Sequence, residues 1–432
     1  MSKISNPLRV DQPAIYEIVL QGSLDKQWSN WFNEMTVTIE SSSEGAGITT
    51  LTGQVADQAG LYGVLSRIRD LGLPLLKLTL LNIEDIKETP TVEIPSYPSR
   101  MILEGVPRVG YDVHLSPFPG SLYAILQYLR DPVDYDYIMG VTGAAFRRFW
   151  NRDDGGNIDI SYLGDAPFEY IFKALGYTWQ KIPDEKDAMT QAFIKSINSN
   201  IPAISFGIYG PPEAGIVTGY DQDGAMLYGW SYFQENGVKY YEKSDWYETM
   251  LKGYDGKGAI LLGGKTGELP APKDILIQSL RWAIDLERTS ARPTRPDHVC
   301  GLRAYDNWAN GMEVDADYPP DNRDILNNRV AVYGDQCVML QERHSAAGYL
   351  RQVVKVAPEV SEHLNAAAFL YDEVGNIVSQ VYPWAPWHEK VFEGLVNPEM
   401  RREFAQLIRL GKEKETRAVE YLETALKILK NQ

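Results

Sequence analysis

The sequence predicts a multidomain α+β protein, and three observations carry that prediction. The chain has 432 residues, more than one ordinary hydrophobic core accommodates. Residues 14–83 alternate β-branched runs with helical patterns. Residues 99–268 place helical patterns ahead of consecutive strands, and residues 270–432 are almost wholly of helical period.

The first segment reads as a self-contained unit. "YEIVLQG" alternates like a strand. "SLDKQWSNWF" follows as a short helix with Ser23 or Asp25 as its cap. "MTVTIES" and "GITTLTGQV" are β-branched strands joined by the Gly/Ser turn "SSEGAG". "DQAGLYGVLSRIRDLG" places Leu61, Val64, Leu65, Ile68 and Leu71 on one helical face, with Asp57 as cap and Gly72 as stop. "PLLKLTLL" is the last strand. The order β-α-β-β-α-β describes a ferredoxin-like module over residues 1–83. It contains no evident nucleophile, metal cluster or phosphate loop, which suits an interaction or regulatory role. Residues 84–98, with three prolines among acidic residues, read as a linker.

Within residues 99–268, "SLYAILQYLRD" is helical from just after Gly120. "DYIMGVTGAAFRRFW" is helical or mixed, and "NRDDGGNIDISYL" is a glycine-rich loop running toward a short strand. "APFEYIFKALG" stops at Gly176, and "EKDAMTQAFIKSINSN" is helical with Asp184 near its start. Then come "IPAISFGIYG", "AGIVTGYD", "GAMLYGWSYF", "KYYEK" and "GAILLGG" as strands, with Gly- and Pro-containing turns between them. Residues 269–432 form a helical domain. Its last helix starts at "NPEMRREF", where Asn397 caps and Pro398 occupies the first helical position.

Composition bounds the function. The net charge of −16 repels phosphate backbones, so no nucleic-acid partner is expected. No apolar run is long enough for a membrane span, and the first residues lack the apolar core of a secretory signal. Cys300 and Cys337 stand in no paired motif, which excludes a disulfide framework and a cysteine-rich zinc site. A reducing cytoplasm is the expected compartment.

Several blocks in order, "GVPRVGYDVHLSPFPGSLYAILQYL", "YIMGVTGAAFRRFW", "GNIDISYL", "GPPEAGIVTGYD" and "MLYGWSYF", resemble the N-terminal domain of butirosin biosynthesis protein H, which is related to papain-like peptidases. The text "GLRAYDNWA" and "AAGYLRQVVKVAPEVSEHLNAAAFLYDEV" resembles the helical domain that commonly follows it. The resemblance spans residues 104–380. It implies a papain-like α+β fold for residues 99–268 and, in the butirosin enzyme, acyl transfer from a carrier protein to an aminoglycoside amine.

Such catalysis sets a cysteine at the N-terminus of the first long helix, where free N–H groups and the helix dipole stabilise a thiolate and an oxyanion. A histidine on a facing strand takes the proton, and a third group orients it. Matched to that pattern, Ser121 stands in the cysteine's place and Glu213 in the histidine's, with Trp230, Ser231 or Tyr232 as orienting residue. Serine needs a well-placed base, and a glutamate with a normal pKa of about 4.3 serves only if burial raises it. Ser121 is therefore either a nucleophile or an N-cap and pocket wall, and Glu213 a base or an amine-binding carboxylate.

His114, seven residues before Ser121, lies near the expected oxyanion-hole position, which falls on Leu115. The loop holding Trp150, Asp153, Asp154 and Asn157 fits either a grip on a cationic or hydroxylated ligand or an ordinary turn. Tyr220 and Trp230 complete the candidate substrate-binding set. His298, His344, His363 and His388 show no metal-ligand spacing, so neither metal nor cofactor is expected. Two functions follow. One is a cleft that binds a small ligand or an acyl-carrier conjugate, with or without acyl or amide transfer. The other is a non-catalytic protein that associates with itself, as a homo-oligomer, through the ferredoxin-like module.

Overall fold

The computed structural model describes residues 14–22, 35–40, 47–55, 57–81, 97–154, 159–235, 237–249, 258–267, 269–381 and 388–431. The chain divides into two compact units, residues 1–96 and 97–432. The expected helix at 23–32, the turn at 42–47 up to Gly47 and most of the linker lie outside the described residues, as does Asn157.

The first unit is a four-stranded sheet of β1 (Ala14–Gln21), β2 (Thr36–Glu40), β3 (Ile48–Val55) and β4 (Leu75–Leu81), with α1 (Gln58–Asp70) between β3 and β4. The strand order is β2-β3-β1-β4 and every pairing is antiparallel. Asp57 caps α1 by accepting from Gly60 N at 2.6 Å. Gly72, just past the helix end, takes φ +69°, which a side chain would resist. Leu61, Val64 and Ile68 of α1 close over Ile18, Leu20, Leu51 and Val55. The helix pattern and the strand alternation thus share one core.

The second unit opens with β5 (Met101–Ile102), α2 (Pro117–Tyr128), α3 (Tyr135–Thr142), β6 (Phe149–Trp150), α4 (Ala166–Leu175), β7 (Tyr177–Ile182) and α5 (Lys186–Asn198). Then come β8 (Ala203–Phe206), β9 (Ala214–Asp221), β10 (Met226–Trp230), β11 (Tyr241–Lys243), α6 (Trp246–Thr249) and β12 (Ala259–Lys265). Their sheet runs β11-β10-β9-β8-β12-β7, with β5 on β9, and all its pairs are antiparallel. α2 lies against β9 and β8.

The remainder is helical: α7 (Pro272–Arg288), α8 (Leu302–Met312), α9 (Arg323–Gln341), α10 (Arg343–Val353), α11 (Ser361–Asn376), α12 (Val378–Val381), α13 (Glu389–Val396) and α14 (Pro398–Lys430). Among the described residues here, the one strand, β13 (Val299–Cys300), pairs with β6.

Residues 99–268 and 269–432 share one core cluster, while a second cluster runs from Leu302 to Ile408 within the helical region. Leu280 and Ala283 of α7, Tyr349 of α10, Ala367 of α11 and Leu422 of α14 are buried in the same cluster as Leu122, Ile138 and Val217. Gly140 of α3 makes this close approach possible, since a β-carbon there would run into the Tyr349 ring. No helix among the described residues is long and apolar enough to cross a membrane.

Candidate functional site

The helix carrying Ser121 begins earlier than the sequence pattern suggests. Ser116 is the N-cap and Pro117 the first helical residue, so Ser121 sits in the second turn. Pro117 and Pro119 fit the first turn because N–H groups there have no helical partner to lose. Ser121 is therefore not the cap. The chemistry expected of a helix tip also suffers, because neither proline offers an N–H and Gly120 N donates to Ser116 O at 2.9 Å. The position that would carry a nucleophile at the tip holds Pro117.

Ser121 itself is 0% exposed, and its Oγ has no hydrogen-bond partner. Glu213, immediately before β9, is 5% exposed and accepts a hydrogen bond from the Tyr111 hydroxyl. The serine and the glutamate are thus not bonded to each other.

Two tyrosines occupy the ground between the helix tip and Glu213. Tyr232, two residues past β10, donates to Ser116 O at 3.2 Å. A β-carbon on Gly120 would collide with its hydroxyl. The Tyr111 and Tyr232 rings meet edge to face with centroids 5.1 Å apart. Burial first, then the Glu213 charge, pushes the Tyr111 phenol well above its ordinary range. Burial raises Tyr232 likewise, with Tyr135, Asp159, Glu213 and Glu342 adding to the effect. Both hydroxyls therefore stay protonated as donors.

On the other side of the tip, the Ser116 amide donates to the Tyr135 hydroxyl at 3.3 Å. Arg147 and Glu342 form a fully buried pair nearby, with Nη1–Oε2 2.6 Å and Nη2–Oε1 3.2 Å. Asp159 ties the adjoining loop to β9 by accepting from Ala214 N at 3.1 Å and from Ser161 N at 2.8 Å.

The other candidates separate. His114 stacks on Tyr135 at 4.0 Å and meets Tyr123 edge-on at 4.8 Å. Burial lowers its pKa, so the imidazole is held neutral. Tyr220 donates to Pro98 O at 2.8 Å and accepts from Asn198 Nδ2 at 2.7 Å, and Trp230 Nε1 donates to Val106 O at 3.2 Å. Both are satisfied core residues that fix loops to the sheet.

Trp150 lines a cavity of about 10 Å³ with Trp308, Tyr318 and Tyr333, room for one water at most. Asp153 accepts from Arg329 Nη2 at 2.7 Å. The Asp153 and Asp154 amides donate to Asn151 Oδ1 at 2.8 and 3.2 Å, which makes this segment an Asn-initiated turn.

The sequence reading missed Tyr111, because nothing in "VGYDVH" marks a tyrosine that reaches a residue 102 positions away. It also missed a carboxylate–histidine group. Asp154, Asp297 and His298 bring one ligand atom each within 4.8 Å of one another, although their spacing in the chain matches no ligand pattern.

No curated protein matches the sequence. A family model described as a domain of unknown function, DUF8691, matches residues 15–79, the segment that holds the four-stranded sheet and α1.

Proposed function

We propose that this is a non-catalytic protein of the butirosin H-like type, with a papain-like arrangement whose catalytic position is filled by its own tyrosines. It acts by association through its first unit. The observation that carries this reading is the pair Tyr111 and Tyr232. One phenol caps Glu213 and the other fills the space at the helix tip. Ser121 is sealed from solvent, and the first turn of α2 lacks the N–H groups of Pro117 and Pro119, which supports a non-catalytic reading.

The strand order β2-β3-β1-β4 supports the ferredoxin-like reading of the first unit. The packing of α2 on an antiparallel sheet supports the papain-like reading of the second. For association, β4 lies at one edge of its sheet and exposes Leu75, Leu76 and Leu78 by 46, 52 and 40%. Apolar side chains on an edge strand favour pairing with another chain.

Incubating the full chain with a fluorophosphonate serine probe tests the first claim. We expect no labelling that depends on Ser121, and labelling abolished by Ser121→Ala would overturn it. Light scattering tests the second. The wild type should exceed the monomer mass and Leu76→Lys/Leu78→Lys should reduce it to one chain; a monomeric wild type would reject association.

A further inference from the structure

His298 is 6% exposed, follows a turn in which its own amide donates to Arg295 O at 3.1 Å, and places its ring edge-on to Phe149 at 5.8 Å. Its two nitrogens face two carboxylates. Nδ1 is 3.1 Å from Asp297 Oδ1, and Nε2 is 3.1 Å from Asp154 Oδ2. The first contact is a hydrogen bond. The second misses strict hydrogen-bond alignment but is an ion-pair contact, and it is the largest influence holding the Asp154 carboxyl below its usual range, so the buried Nε2 points into the group with Asp154 as its neighbour.

One tautomer fits a ligating role. With Nδ1–H donating to Asp297, the Nε2 lone pair is free to coordinate, the arrangement by which a carboxylate orients a ligating histidine. Two ligands on one ion with bonds of about 2.1 Å stand roughly 3.0–3.4 Å apart at right-angled to tetrahedral geometry, and the Nε2–Oδ2 separation falls in that range. Asn151 holds the two loops in place. Its Nδ2 donates to Asp297 O at 2.8 Å, and its Oδ1 accepts the Asp153 and Asp154 amides. Both carboxylates are exposed, which gives an ion its path from solvent. Arg295, stacked on Phe149 at 3.9 Å and Tyr162 at 3.6 Å, brings the opposing charge at the site and tempers its affinity.

We propose that His298 and Asp154, with Asp297 behind the imidazole, form a binding site for a divalent transition-metal ion, zinc foremost. A mixed nitrogen and oxygen donor set with imidazole at its centre suits zinc, whereas an all-oxygen set would suit magnesium or calcium. Water completes the coordination.

Calorimetric titration of the full chain with zinc chloride at pH 7.5 tests this. We expect one ion per chain, binding abolished in Asp154→Asn, and affinity lowered about 10-fold or more in Asp297→Asn. His344→Ala should leave binding unchanged, although His344 faces Asp372 at 3.1 Å on the surface. Asp154 and Asp297 are exposed, so these variants keep the fold, which circular dichroism verifies. Absence of zinc binding by the wild type, or binding that survives Asp154→Asn or is removed by His344→Ala, overturns the proposal.

Discussion

Gly120 and Tyr232 share one small volume at the tip of α2: the absence of a side chain on the one admits the hydroxyl of the other. Gly120→Ala should therefore destabilise the protein by about 2 kcal/mol through overpacking, even though alanine is the better helix former. Tyr232→Phe alone should cost about 1 kcal/mol, the worth of its bond to Ser116 O. In the double variant the collision is eased, so the combined loss should fall below the sum of the two, as urea titration of the four proteins would read. Strict additivity would mean that the two groups do not meet. At this scale the sequence was legible in type but not in place. It singled out Glu213 and offered Tyr232 as one of three orienting residues beside Trp230 and Ser231, while the burial of Ser121 and the reach of Tyr111 depend on contacts between distant segments that no local spacing encodes.

Helix ends were the most legible elements where their chemistry is local. Asp57 before α1, Gly176 after α4, and Asn397 with Pro398 at α14 all stand where capping rules put them. Asp57→Ala should lower the stability of α1 by about 1 kcal/mol, seen as faster hydrogen exchange of its amides with those of residues 97–432 unchanged. Equal protection in both proteins would contradict that role. Misreadings came from residues with two meanings. The sequence pattern starts the helix just after Gly120, yet the prolines of "SPFPG" already occupy the first turn of α2. "ISYL" has the β-branched and aromatic start of a strand but forms a 3₁₀ turn, because Asp159 accepts from Ser161 N. "YTWQKI", unmarked by clear alternation, is β7, an edge strand with three exposed residues. Within the helical region, Glu342 separates α9 from α10.

Across the molecule, the second unit is held together by charges that composition could not reveal. Arg343 of α10 is fully buried. It donates to Glu415 of α14 at 2.6 and 2.9 Å and to the carbonyls of Ala145 and Arg147 at 2.9 and 3.0 Å. Glu287 of α7 lies 3.5 Å from the same guanidinium. Burial and the Glu415 carboxylate push Glu287 well above the usual carboxylate range, whereas at Glu415 burial is outweighed by Arg343 and Arg148, which draw it down to about 2. A carboxyl raised on folding contributes stability that is full below about pH 4.5 and is lost as pH climbs through its folded value. Glu287→Gln mimics the protonated form and lacks that loss. Its melting temperature relative to the wild type should therefore rise between pH 5 and pH 9, and a constant difference would contradict the assignment. Glu415→Gln should instead cost about 3–5 kcal/mol, since it leaves Arg343 poorly compensated in the core.

The central claim is that the helix tip next to Glu213 is closed, and the thiol reactivity of a Ser121→Cys variant measures that most directly. Cys300 and Cys337 are buried and contribute little background. The new thiol should resist alkylation in the native protein and react at the rate of a free thiol only after unfolding in denaturant. Rapid native-state alkylation at residue 121, faster than at the two natural cysteines, would show an open and accessible cleft and contradict the account.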